Sequence, residues 1–177
     1  PRVRRQRQMC IRDRNMALDR LIEAIKRTQT PTVAGLDPKL EYIPSHIKEA
    51  AFQEYGETLE GAAAAILAYN KGLIDALCDI VPAVKPQAAY YEMYGWPGVR
   101  TLVQTIAYAK GKGLFVITDG KRNDIGATAA CYANAYVGKT DMPDGAQAAF
   151  GADIATINPY LGVDGIKPFT DACRDNG

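Results

Sequence analysis

The chain has 177 residues, 47% of them apolar and 23% charged, with a mean hydropathy of −0.18, which describes a globular chain and excludes a disordered tail. No stretch approaches the ~20 consecutive apolar residues of a spanning helix, since the longest mild run, Ala62 to Tyr69, is short and alanine-rich. The formal net charge of +1 is uneven: six Arg against Asp13 give residues 1–15 a charge of +5, which leaves −4 on the rest. A basic arm without aromatic interleaving or an amphipathic stripe argues against nucleic-acid and membrane partners.

In chain order, the first segment is the basic tail. Its string RQRQMCIRDR resembles the translation of a transposon-end adapter and precedes a natural-looking start at Met16, so residues 1–15 are read as non-native and 16–177 as the folding unit. A helix is predicted over 17–28. The run TVAGLD (32–37) reads as a first strand, stopped by Pro38. One long helical region follows over 47–78, with Ile66, Leu67, Leu73, Ile74 and Leu77 near helical spacing. The second strand is IVPAVKPQ (80–87), followed by a helix over 98–111. The third strand is LFVITDGK (114–121), whose unbroken apolar start suits a parallel strand covered on both faces. A helix over 125–137, a fourth strand ADIATINP (152–159) and a helix over 165–174 complete the pattern.

The four cysteines (10, 78, 131 and 173) form no CxxC pair, and His46 is the single histidine, so neither a zinc site nor a disulfide framework is expected. Cys78 and Cys131 lie in apolar helical contexts and read as buried thiols. Nothing marks export, which makes a reducing cytoplasm the default location. His46 reads as an exposed residue near a helix start, and Trp96 as packing at a loop or helix entry. Tyr90, Tyr91 and Tyr94 either wall a site or belong to the core.

Four strand–helix units in succession predict a parallel α/β sheet with right-handed crossovers. Each strand carries its polar groups at its C-terminal end: Asp37, Lys85 with Gln87, Asp119 with Lys121, and Asn158. That is how a (β/α)8 TIM barrel builds a site, whereas no glycine-rich phosphate fingerprint follows the first strand. A complete barrel needs about 250 residues. The chain is therefore expected to hold the first four βα units, with two unpaired sheet edges that invite association.

The densest chemistry is Asp119-Gly-Lys121-Arg-Asn-Asp124-Ile125-Gly-Ala-Thr128. Asp119 and Lys121 are two residues apart on a strand and share a face. Asp124 lies at the start of the next helix, where a carboxylate also complements the helix dipole. Taken alone, the motif fits a surface ion pair plus an ordinary helix cap as well as it fits a functional site. Lys85 changes that balance, because it aims a second lysine at the same mouth from within an apolar strand. In an array of Lys85, Asp119, Lys121 and Asp124 the lysines keep the carboxylates ionised and the carboxylates keep the lysines protonated. Such a lysine is a poor Schiff-base nucleophile and a good proton donor.

At VAGLDP, VPAVKPQ with AYYEMYG, DGKRNDIGAT and TINPYLG, the sequence resembles the orotidine 5′-phosphate decarboxylase family, in its second, longer bacterial type. The resemblance covers 16–177. It implies a homodimeric TIM barrel that converts orotidine 5′-monophosphate to UMP without metal or cofactor. By motif position it makes Lys121 the proton donor to C6 and sets Asp119 beside the departing carboxylate. Lys85 binds ribose and holds Asp119, and Asp37 accepts a ribose hydroxyl. Asp124, Ile125 and Thr128 reach into the neighbouring subunit's site. The family's phosphate-gripping arginine and lid are expected on later strands, beyond residue 177. Two rivals stand beside this reading. One is a magnesium-dependent sugar-phosphate decarboxylase or lyase of the same superfamily, which would need an acidic residue where Lys85 stands. The other is an inactive, truncated fragment.

Overall fold

A computed structural model describes residues 17–176. The adapter-like tail, with Cys10 and the start at Met16, lies outside the described residues, and so does Gly177. The elements are α1 (Ala17–Thr28), β1 (Val33–Leu36), a 3-10 turn (Leu40–Tyr42), α2 (Ser45–Tyr55) and α3 (Leu59–Leu77). They continue with β2 (Ala83–Pro86), α4 (Ala89–Glu92), α5 (Gly95–Gly111), β3 (Phe115–Arg122), α6 (Gly126–Tyr136), β4 (Ile154–Ile157) and α7 (Val163–Asn176). The four strands form one parallel sheet in the order β1-β2-β3-β4, with helices between successive strands. Sequential parallel neighbours joined by helical crossovers are the repeating unit of a barrel.

The predicted helix over 47–78 is two helices. Gly56, at φ 73°, ends α2 in a conformation that side chains resist, and the Thr58 hydroxyl then caps α3 by accepting from Gly61 N at 3.1 Å. The corner is tight, because a Cβ on Gly61 would lie 2.1 Å from the Gly56 carbonyl oxygen. Between β2 and α5 the structure adds the short α4, which the sequence pattern did not separate.

The main core lies between the sheet and α3, α4 and α5. It is built from Leu36, Ile66, Ile74, Val84, Leu102, Ile106 and Val116, all buried. Of the three tyrosines, Tyr91 and Tyr94 are core residues and Tyr90 packs against them. A smaller cluster of Ala129, Ala133, Phe169 and Ala172 joins α6 to α7. Cys131 is exposed and Cys78 half-buried, so the expected buried thiols are not found: Cys131 lies on an open face of α6, and Cys78, at the C-cap of α3, packs against the core from its edge. Trp96 is likewise exposed rather than packed, whereas His46 is exposed as expected. No helix among the described residues is long and apolar enough to cross a membrane.

At the N-terminal end of the strands, Asp153 gathers three elements. Its side chain is nearly buried, pairs with Arg20 of α1 at 3.2 Å and Lys110 of α5 at 3.1 Å, and accepts from Val116 N of β3 at 2.9 Å. A second polar knot sits inside the core. Asn70 Nδ2 donates to the Tyr91 hydroxyl at 2.9 Å and to Thr105 Oγ1 at 3.1 Å, and the Tyr91 hydroxyl donates to the Leu36 carbonyl at 3.2 Å. This knot ties α3, α4 and α5 to the last residue of β1. Burial pushes the Tyr91 phenol well above its ordinary range, which keeps it a donor. Tyr91→Phe removes two buried hydrogen bonds, leaving Asn70 Nδ2 with Thr105 alone and the Leu36 carbonyl with Gln87 N at 3.4 Å, and is expected to cost about 1–3 kcal/mol in urea denaturation.

Candidate active site

Three adjacent strands deliver charge to one place. Asp37 follows the last residue of β1, Lys85 is in β2, and Asp119 and Lys121 are in β3. Gly35 pairs with Lys85 across the sheet, which sets Lys85 level with the end of β1, two residues before Asp37. Lys85 Nζ donates to Asp119 Oδ2 at 3.1 Å and stands 3.8 Å from Asp37 Oδ1. Lys121 Nζ donates to Asp119 Oδ1 at 2.7 Å. Asp119 is therefore held by an ammonium on each carboxylate oxygen.

Exposure is graded across the cluster. The side chains are 11% exposed at Asp119, 32% at Lys85, 44% at Asp37 and 62% at Lys121, so the carboxylate is sunk and the Lys121 ammonium opens to the mouth. Burial is the largest influence on Asp119 and opposes its charge. Hydrogen bonds from Lys121, Thr156 and Lys85, with the Lys85 charge, together outweigh it and hold the carboxyl well below the usual carboxylate range.

Asp119 and Lys121 do meet on one side of the sheet, but not by simple alternation. Lys121 has φ 47°, in the left-handed region, and the β3–β4 register shifts between Thr118 and Arg122. Arg122 anchors the far side of this kink. Its guanidinium donates to the Tyr136 hydroxyl from Nε at 3.0 Å and from Nη2 at 2.8 Å, pairs with Glu92, and lies over the Tyr132 and Tyr136 rings. Tyr136 in turn stacks on Phe150, centroids 4.7 Å apart. Gly120 lies close against this ring: a Cβ there would be 3.2 Å from Tyr136, a tight contact.

Asp124 stays apart from this cluster. Its carboxylate accepts from Ile125 N at 2.8 Å and forms no ion pair with Lys85 or Lys121. Ile125 and Thr128 are exposed, the first at the N-cap of α6 and the second in its first turn. Two contributors were missed in the sequence. Thr156 Oγ1 donates to Asp119 Oδ1 at 2.7 Å, and Arg122 clamps the strand end. Thr156 could have been found from its place two residues before Asn158, on the same strand face. Nothing in the local sequence marks Arg122, whose partners come from α4 and α6.

The fold and the charged array at the strands' C-terminal ends define a partial (β/α)8 barrel with a preformed ionic site. Residues 61–177 match the family model of orotidine 5′-phosphate decarboxylase / HUMPS, and the chain belongs to that family. It is similar to the orotidine 5′-phosphate decarboxylase of Rhodopirellula baltica, with 43% identity over 150 residues, covering 85% of this chain and 48% of the relative. The enzyme of that name from Caldicellulosiruptor saccharolyticus is 41% identical over 156 residues, covering 88% and 51%. Among solved structures, the OMP decarboxylase of Leishmania donovani has a TM-score of 0.64 and 29% identity, covering 88% of this chain and 49% of that one. A Streptomyces avermitilis protein described as an orotidine 5′-phosphate decarboxylase has a TM-score of 0.70 and 28% identity, covering 92% and 50%. The chain spans about half the length of the curated relatives it matches.

The Asp119 geometry sets a pH dependence. A carboxyl lowered by folding contributes stability in full above its unfolded value of about 3.9 and loses it as pH falls. Wild type is therefore expected to lose stability relative to Asp119→Asn below about pH 4, by chemical denaturation at a series of pH values, and to keep a constant difference near neutrality.

Proposed function

We propose that this chain carries the charged part of a site that decarboxylates orotidine 5′-monophosphate to UMP. The observation that carries the reading is the buried Asp119 carboxylate held between Lys85 at 3.1 Å and Lys121 at 2.7 Å. In the reaction the bond from C6 to the carboxylate breaks, CO2 leaves, and the electron pair remains on C6. Lys121 transfers a proton from its ammonium to that carbon and is reprotonated from solvent. Its exposure at the mouth, with Asp119 fixing its head, suits a donor that must meet a substrate atom. Asp119 sits where the substrate carboxylate departs, and Lys85 bridges Asp119 to Asp37, which accepts from the ribose. With no electron sink at C6, stabilisation comes from preorganised charge and from binding energy taken at the remote phosphate.

Lys85 also speaks against the magnesium-dependent alternative. Its ammonium already fills the space beside Asp119 that a divalent cation would need, and like charges repel. In the protein carrying this chain, conversion of orotidine 5′-monophosphate to UMP is expected to persist in EDTA. Loss of turnover in chelator would favour the metal-dependent chemistry instead. Lys121→Ala is expected to abolish turnover while UMP binding, followed by calorimetry, largely survives, because the proton donor acts mainly in the transition state.

The same reading makes the site shared between two subunits. Asp124 pairs with none of its own chain's lysines, and Ile125 after β3 is exposed, as are Tyr160, Leu161 and the first residue of α7, Val163, after β4. Apolar side chains in such numbers at the mouth suit a partner's surface. If Asp124 serves the opposite subunit, Lys121→Ala and Asp124→Ala homodimers are each nearly inactive, while a mixed dimer keeps one intact site. Random subunit exchange is then expected to restore roughly a quarter of wild-type activity, as an isologous dimer requires. Mixed dimers, verified by tagged co-purification, without recovered activity would assign Asp124 to its own subunit.

A further inference from the structure

β3 and β4 fall out of step at the site. Thr118 pairs with Ala155 and Arg122 with Ile157, so three residues of β3, Asp119, Gly120 and Lys121, face Thr156 alone. A bulge of this kind takes the intervening backbone out of the ladder and leaves its polar groups to find other partners. The Lys121 N–H, on a residue at φ 47°, donates to Thr156 Oγ1 at 3.1 Å. The same hydroxyl donates its single hydrogen to Asp119 Oδ1 at 2.7 Å. Its polarity is fixed by these two bonds, because it accepts from the backbone of one residue and gives to the side chain of the other.

We propose that Thr156 is a positioning residue of the site: one hydroxyl joins the backbone of Lys121 to the carboxylate of Asp119, and so sets the Lys121 head and the Asp119 oxygen in register. Neither bond involves a substrate atom, so Thr156 acts through its two partners. Without the hydroxyl the left-handed backbone at Lys121 loses the bond that satisfies its N–H, and Asp119 Oδ1 keeps Lys121 alone. Arg122 still anchors the following residue, so the strand end stays in place while the lysine head loses its fixed reference.

The kinetic part of this inference rests on the decarboxylase reading, and the structural part does not. Two variants separate the hydroxyl from the bulk of the side chain: Thr156→Val removes both hydrogen bonds at nearly constant volume, and Thr156→Ser keeps them. Amide hydrogen exchange in the protein carrying this chain is expected to show Lys121 N–H protected in wild type and in Thr156→Ser. In Thr156→Val it is expected to exchange at least about tenfold faster, with Val116 and Ile117 unchanged. With orotidine 5′-monophosphate, Thr156→Val is expected to lower kcat roughly ten- to a hundredfold, KM changing less than about threefold, and Thr156→Ser to recover most of kcat.

An unprotected Lys121 amide in wild type, or an unchanged one in Thr156→Val, overturns the proposal. So does a loss confined to KM. If wild type does not turn over orotidine 5′-monophosphate, the decarboxylase reading fails and the exchange pattern alone decides the role of Thr156. Should Thr156→Val fail to fold, wild-type protection of Lys121 together with its retention in Thr156→Ser supports the proposal, and its absence in either refutes it.

Discussion

The carboxylate of Asp119 is the hub of the C-terminal face. It is nearly buried, and each of its oxygens is held by a lysine, Oδ2 by Lys85 and Oδ1 by Lys121, with the Thr156 hydroxyl added on Oδ1. A buried charge is costly unless it is paired and hydrogen-bonded. Here the partners come from β2, β3 and β4, so the ion cluster is complete only where these three strands lie side by side. Removing both lysines would leave a buried charge uncompensated at the point where those strands meet.

The surrounding structure serves that hub at two ranges. Close by, the bulge in β3 bends Lys121 back toward Asp119, and Arg122, lying over the Tyr132 and Tyr136 rings with Tyr136 stacked on Phe150, holds the bend from behind. Farther off, the Asn70–Tyr91–Thr105 knot fixes the Leu36 carbonyl, one residue before Asp37, so the β1 contribution is set from within the helical layer. A left-handed conformation on a lysine is disfavoured and persists only where neighbours over-determine it. Arg122 and Thr156, one on each side of the kink, provide that determination.

Much of this was legible in the sequence because the signals are local. Apolar bursts alternating with helical segments gave the four βα units in order, and polar residues at the strands' C-terminal ends marked the mouth. Lys85 stood out because an ammonium in an apolar strand needs a partner, and Asp119 and Lys121 because they lie two apart. What escaped has non-local causes. The break at Gly56 depends on how closely α2 approaches α3 at Gly61, which apolar spacing does not encode. Thr156 reads as an ordinary β-branched strand residue until the bulge of the neighbouring strand brings three residues against it. Arg122 reads as a surface charge until α4 and α6 bring Glu92 and Tyr136 to it. Cys131 was misjudged because alanine-rich surroundings on α6 resemble a core while its own face is open.

The two ends of the sheet are organised by different aspartates. Asp119 gathers the mouth, whereas Asp153 gathers α1, α5 and β3 at the opposite end through Arg20, Lys110 and the Val116 amide. The two networks share no side chain. A chain built this way is modular along its strand axis: residues at the mouth can drift toward a new substrate while the opposite end keeps helices and sheet assembled. Substitutions that would be ruinous in a protein with one central network then become available to selection, and a single scaffold can diversify its chemistry without relearning how to fold.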